Sequence, residues 1–200
     1  MRVGFVVECH RGGADHKVIE HVVARLDASV DLRWVFAGNK GELFRECGGL
    51  VRGLYENEKC ARVFVVWDLM PCDKDMQDKG KPSCEKERAH VLSKIDKTHH
   101  ARTVLICIRH ELEAWLLCDG QALTTFLENK NHPTPVIRDD KKSEQHKNPK
   151  VVLRQIFEKQ GREYRDTDHA PKVIALVKNL AKLERVQSFK RLCEKLVAVR

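Results

Sequence analysis

Two stretches of consecutive apolar residues constrain this chain more than anything else in it. Arg62–Asp68 reads RVFVVWD and Val104–Ile108 reads VLICI. Short apolar runs bounded by charge or turn residues predict strands buried on both faces, and such strands belong to parallel sheets. The second run breaks off at once into the charged knot Arg109-His110-Glu111-Leu112-Glu113, and Ala114–Leu117 is apolar again. Leu112, Trp115 and Leu116 share one helical face, so a helix is expected to open directly behind the strand. Acids placed at such a junction sit where open α/β sheets bind their ligands.

The rest of the chain supplies the remaining elements. Arg2–Glu8 is a strand with Glu8 at its end, and Asp15 reads as the N-cap of a helix over about 16–26. Leu32–Ala37 is a second strand, closed by the turn residues Gly38-Asn39-Lys40-Gly41. Glu42–Glu56 is expected to be helical in spite of Gly48, Gly49 and Gly53. The segment 69–82 is polar and holds Asp73, Asp75 and Asp78. Ser83 is placed to cap a helix over 84–96, with Glu87 in its first turn. After Thr103–Ile108, a turn of helix over 111–117 and a helix over 120–127 are expected. Pro133, Pro135 and a charge run mark 129–148 as a loop. Further helices follow at 149–160, with Pro149 at its first position, and at 170–180 and 188–199. The alternation of strand and helix predicts an α/β fold with a mostly parallel central sheet flanked by helices. Residues 1–128 are its core, 129–148 a loop, and 149–200 a helical C-terminal extension packed on the core.

Two hundred residues, 42% hydrophobic and 33% charged, suit one soluble domain. No apolar run approaches the roughly 20 residues of a membrane span, and the N-terminus reads as a strand rather than a leader, so a cytoplasmic protein is expected. The eight cysteines form no CxxC pair, which argues against a structural zinc site and for reduced thiols, with Cys107 acting as a small hydrophobe. The net charge of +8 is uneven: from Lys141 to Arg200, 16 basic residues stand against 7 acidic ones. A near-neutral body with a basic C-terminal third fits a nucleic-acid enzyme, and equally fits lysines solvating helix faces.

Glu8, Asp68 and the pair Glu111 and Glu113 all end or follow strands. In a parallel sheet they share one rim, where converging carboxylates repel unless a cation or proton offsets them. Hard oxygen ligands of this kind suit Mg²⁺ or Mn²⁺, the ions of phosphoryl transfer and phosphodiester hydrolysis. Each acid alone also has a plain reading as a cap or a solvated strand end. Glu111 and Glu113 diverge on a helix and share a face only if extended, so one is expected on the rim while the other supports the fold. Lys150 suits a phosphate contact or a solvated helix start. Trp115 reads as core, and Tyr164 with His169 as a hydrogen-bonded pair pinning the C-terminal helices.

These residues carry a resemblance. A glutamate ending strand one, an aspartate-bearing loop after a hydrophobic strand, and Glu111-Leu112-Glu113-Ala114-Trp115 are similar to TOPRIM-like families of bacteria. Most similar is an uncharacterised domain-of-unknown-function family whose members often sit beside ATPase genes in defence loci. Asn148-Pro149-Lys150, Tyr164, His169 and Ser188-Phe189 resemble its C-terminal pattern. The resemblance implies a Mg²⁺-dependent nuclease acting on DNA or RNA, as a defence effector with an ATPase partner. It makes Glu8 a general base or metal ligand and Asp68 the first aspartate of the metal motif. Two departures stand out. Cys9 replaces a glycine, and the compact Asp-x-Asp becomes Asp68-Leu69-Met70-Pro71-Cys72-Asp73. The second aspartate falls on Asp73 or Asp75 or is lost, and Glu111 or Glu113 would supply the missing ligand. A nucleic-acid- or partner-binding module with a degenerate site is the competing expectation.

Overall fold

The computed structural model describes residues 1–71, 82–128 and 134–198. Strands β1 (Arg2–Val7), β2 (Asp31–Phe36), β3 (Arg62–Asp68) and β4 (Thr103–Ile108) form one sheet in the order β2-β1-β3-β4. Every pairing is parallel. All C-terminal strand ends therefore meet at one edge of the sheet, and β1 and β3, the two central strands, end side by side.

Side chains alternate between the faces of each strand, so the apolar runs feed two separate cores. On one face Phe5, Val7, Phe64, Val66, Ile106 and Ile108 pack with α1 (Ala14–Leu26). On the other, Val6, Val65, Trp67, Leu105 and Cys107 pack with α2 (Lys40–Glu56) and α3 (Cys84–Lys94). The first core also takes in α4 (Glu113–Leu116), α5 (Gly120–Leu127), α6 (Pro149–Glu158), α7 (Asp166–Leu176) and α8 (Gln187–Val197). Leu153, Phe157, Ile174, Phe189 and Leu192 from these C-terminal helices are fully buried in the same cluster as the strands.

Several boundaries differ from those expected. Helix α2 begins two residues early because the Asn39 side chain accepts the Glu42 N–H at 2.9 Å, an N-cap hidden among turn residues. Its glycines are compatible with helix because one of them is needed there. A Cβ on Gly48 would meet the Lys94 carbonyl oxygen at 2.2 Å, so only glycine lets α3 end against α2. Helix α7 starts at Asp166 rather than Ala170, carrying Pro171 inside it. Asp15 is not the cap of α1; Gly13 is, and Asp15 lies in the first turn. Ser83 does cap α3 by position but makes no side-chain cap bond.

The thiols also depart from expectation. Cys84 and Cys107 are joined as a disulfide, with Cα atoms 5.6 Å apart, a separation suited to a bridge. Packing of the α3 N-terminus over β4 brings together two cysteines that are 23 positions apart in sequence. Among the described residues, no helix is long and apolar enough to cross a membrane.

Candidate active site

The rim is built by the two central strands. Asp68 is the last residue of β3 and Glu8 follows β1 directly, and the Asp68 backbone N–H donates to Glu8 Oε1 at 2.9 Å. From α1, Asp15 reaches the same place. From the β4 exit comes Glu113. Asp15, Asp68, Glu113, Lys150 and Asp166 line one cavity of about 440 Å³, and Glu8 adjoins it through its bond to Asp68.

The turn that presents Glu113 is strained. His110 has φ +70°, left-handed backbone that a histidine rarely adopts. Its carbonyl accepts the Met70 N–H at 3.2 Å, and the Ile108 carbonyl accepts the Leu69 N–H at 2.8 Å. The exits of β3 and β4 are thereby tied together. Behind this turn the two glutamates separate. Glu111 Oε2 accepts the Lys150 backbone N–H at 2.9 Å, taking up a free donor at the start of α6. Glu113 is buried, accepts the Tyr164 hydroxyl at 3.3 Å and lies 3.9 Å from Lys150 Nζ. Glu113 faces the cavity, and Glu111 supports a helix.

Protein closes around these acids on most sides, and their titration follows. Burial, with a lesser push from Asp15, raises Glu8 to about 8, while the Asp68 N–H and Lys40 pull the other way. Asp68 is raised well above the carboxylate range by burial, then by repulsion from Asp15, Glu8, Glu113 and Glu111. Burial and Asp166 bring Asp15 to about 6, against Lys150. Burial brings Glu113 to about 7, again opposed by Lys150. Asp68 Oδ1 is buried without a hydrogen-bond partner among the described residues. An orphaned carboxylate oxygen inside an acid cluster carries a desolvation cost that a cation would offset.

Arg11 and Lys150 also line the cavity, and Lys150 pairs with its acids. Lys150 Nζ bonds Asp166 Oδ2. Burial disfavours its charge, but Asp166 and Glu113 outweigh that and hold its pKa above the ordinary lysine value. Burial pushes Asp166 up, and the Lys150 bond more than reverses it, leaving Asp166 below its usual range. Lys150 is thus neither a solvated helix start nor a free surface charge.

Beside the cavity lies another ion pair, this one buried. Lys40 Nζ is 3.0 Å from Glu87 Oε1, and Glu87 Oε2 accepts Trp67 Nε1–H at 2.7 Å. Lys40 also donates to the carbonyls of Leu69 at 2.7 Å and Pro71 at 3.1 Å, holding the chain as it leaves β3.

Of the residues singled out from sequence, the structure brings together Glu8, Asp68, Glu113 and Lys150, with Glu111 one hydrogen bond away. Asp73, Asp75 and Asp78 lie outside the described residues. Asp15, Asp166, Lys40 and Glu87 went unrecognised as site residues. Acids in the first turn of a helix are common for dipole reasons, which hid Asp15 and Asp166. Tyr164 and His169 pack ring against ring, with centroids 6.0 Å apart, rather than as the expected hydrogen-bonded pair: Tyr164 donates to Glu113, and His169 Nδ1 accepts the Arg165 N–H at 2.9 Å. Trp115 is fully buried core, its Nε1–H donating to Ser188 Oγ at 3.0 Å and its ring edge-on to Phe189.

Among the described residues, no three His, Cys, Asp or Glu side chains form a group that could hold a metal ion together. No curated protein and no solved structure matches the chain. One family model matches over residues 43–197, more than half of the chain. That span contains Asp68, Glu111, Glu113 and Lys150 and begins after Glu8 and Asp15. The chain belongs to the family described as Domain of unknown function (DUF4276).

Proposed function

We propose that the chain is a Mg²⁺- or Mn²⁺-dependent nuclease that hydrolyses phosphodiester bonds of DNA or RNA on a TOPRIM-like fold. The observation that carries this reading is the convergence of Glu8, Asp15, Asp68 and Glu113 on one rim, with an unpartnered buried oxygen on Asp68. Their donor chemistry fits a hard divalent cation. Mg²⁺ commonly takes one or two carboxylates and keeps several waters, so a group of three protein ligands is not required.

Asp68 and Glu8 would hold the ion, with Glu113, and Asp73 from the segment outside the described residues, as further ligands. Glu111 is already engaged with the Lys150 backbone. When bound, such an ion supplies charge neutralisation at a phosphate and a water activated near neutral pH. This chain's own part is to orient and to hold protons. A raised Glu113 keeps a proton near neutrality, and Lys150 places a positive charge beside the cavity for a phosphate oxygen. The C-terminal helices, which deliver Lys150, Tyr164 and Asp166, act as an extension completing the site. An ATPase partner in bacterial defence rests on the family resemblance alone, and a cytoplasmic setting on the sequence reading.

The test is cleavage of labelled DNA and RNA by the full chain with Mg²⁺, Mn²⁺ or chelator. Wild type should cut only with the metal, and Glu8→Gln and Asp68→Asn should each lose about 100-fold or more while remaining folded. Undiminished cutting in both variants sinks the assignment. Binding without cutting under any metal favours the competing reading, a module with a degenerate site. Cys9 and the wide Asp68–Asp73 spacing motivate that reading.

A further inference from the structure

One groove lies away from the acids. It encloses about 890 Å³ between the middle of α2 and the C-terminal end of α3, continued by the 3₁₀ turn Lys97–Arg102. Gly48 and Gly49 line it, so part of its wall is helix backbone without side chains. Gly49 is exposed and a Cβ there would meet nothing within 4 Å. The lining includes Arg45, Arg52, Lys94 and Lys97.

Its acids are already committed. Glu46 accepts from Arg45 at 3.1 Å, and Asp96 Oδ1 accepts both the N–H and the hydroxyl of Thr98 at 2.8 and 2.7 Å. Arg52, Lys94 and Lys97 are exposed and form no salt bridge among the described residues. The lining carries four cations, Arg45, Arg52, Lys94 and Lys97, against two acids, Glu46 and Asp96, around an open, sterically empty wall. Small-molecule pockets are mostly apolar and concave. An open trough rimmed by cations instead matches a chain of phosphates, whose affinity comes from displacing condensed counterions.

We infer that this groove is a nucleic-acid backbone-binding surface, separate from the acid rim, in which Arg52, Lys94 and Lys97 contact successive phosphates. Helix α3 connects the two places. Glu87, in its first turn, bonds Trp67 near the strand ends, and Lys94 closes its last turn in the groove. Seven residues of helix separate Glu87 from Lys94, roughly 10 Å at about 1.5 Å rise. At about 3.4 Å per base pair that is roughly three steps of duplex, close enough for one ligand to touch groove and rim. The inference does not need the chain to cut, because the groove contains none of the acids assigned to chemistry.

The test uses the full chain in chelator, with a fluorescein-labelled 30-nucleotide DNA as single strand and as duplex, read by polarisation from 50 to 200 mM salt. The variant Arg52→Ala/Lys94→Ala/Lys97→Ala should bind at least tenfold more weakly. Its slope of log affinity against log salt should fall by two to three contacts, at about 0.7 to 0.9 per phosphate. A charge-matched control, Lys141→Ala/Lys159→Ala/Lys172→Ala, alters exposed lysines elsewhere and should keep most of the affinity and slope. Gly49→Ala should bind as wild type, whereas Gly49→Glu, which puts a carboxylate into the empty wall, should weaken binding several-fold. Equal losses in the two triple variants mean non-specific charge and overturn the inference. So does unchanged binding in Gly49→Glu. Full displacement by pyrophosphate at equal phosphate concentration makes the groove a small-anion site and overturns it too. Loss of metal-dependent cutting in Glu8→Gln with groove binding intact separates this result from the nuclease assignment.

Discussion

The backbone N–H of Asp68 points at the side chain of Glu8, 2.9 Å away across two neighbouring parallel strands. Glu8 therefore has a structural duty apart from any chemistry, and its substitutions should separate the two. Glu8→Ala leaves the Asp68 N–H without its partner and should cost about 1–3 kcal/mol in urea unfolding. Glu8→Gln keeps an acceptor and removes a buried charge, so at pH 8 it should be as stable as wild type or more so. Equal destabilisation by both would mean that the bond does not matter.

Stability should fall as pH rises. Glu8 sits near 8, Glu113 near 7 and Asp15 near 6, all above ordinary carboxylate values of 4.5 and 3.8. Between about pH 4 and 8 the folded chain thus holds protons that the unfolded chain has released. Linkage then makes unfolding easier with increasing pH across that window. The melting temperature in chelator should drop by about 5 °C or more from pH 5 to pH 8, at roughly 2–4 °C per kcal/mol. Millimolar Mg²⁺ should recover part of the loss at pH 8 and little at pH 5. A flat profile in chelator would contradict the clustering of these acids.

Lys40 and Glu87 are a buried pair with several obligations, and removing one partner strands the other. Lys40→Met should cost about 3–5 kcal/mol. Lys40→Met/Glu87→Leu should recover a substantial part of it, although Trp67 Nε1–H then lacks its acceptor. If the double variant is no better than the single one, the carbonyl bonds of Lys40 to Leu69 and Pro71 dominate instead.

His110 is the strained point of the β4 exit. Glycine populates φ +70° freely, so His110→Gly should be neutral or up to about 1 kcal/mol stabilising, whereas His110→Val should cost about 1–3 kcal/mol. Thermal melts of the two variants check this directly.

The Cys84–Cys107 bridge is read by counting thiols. Alkylation of the denatured, unreduced chain should label Cys9, Cys47, Cys60, Cys118 and Cys193 and spare Cys84 and Cys107, with all eight cysteines labelled after reduction. A loop of this length predicts about 3 kcal/mol of stabilisation lost on reduction. Eight labelled thiols without reductant would show the pair open in solution.

What could be read from sequence followed the length scale of each signal. RVFVVWD and TVLICI were legible as buried parallel strands because an apolar run records both faces of the sheet at once. From that alone, Glu8 and Asp68 could be placed on a common rim. Asp15 could not, since an acid in a first helical turn has a sufficient local explanation. Lys40 and Glu87 were hidden more deeply: their pairing exists only because α2 and α3 share a face of the sheet. The fingerprint residues make sense only in three dimensions. Glu111 meets Lys150, Glu113 meets Tyr164, and Trp115 meets Ser188 and Phe189.

That last set of contacts bears on how the chain can be cut. A fragment ending at Asn148 would keep every strand and four of the carboxylates. It would also bare Trp115 to water, remove Lys150, and leave Glu113 without Tyr164 or its apolar cover. Its glutamate would then drift back toward the pH at which free carboxylates ionise. Such a fragment would stay in solution only by hiding its new apolar face against itself, and it would carry the acids without the surroundings that tune them. For this chain the helices after Asn148 set the surroundings of acids carried by the first hundred and thirteen residues, so trimming from the C-terminal side strips those acids of their partners and the sheet of part of its cover.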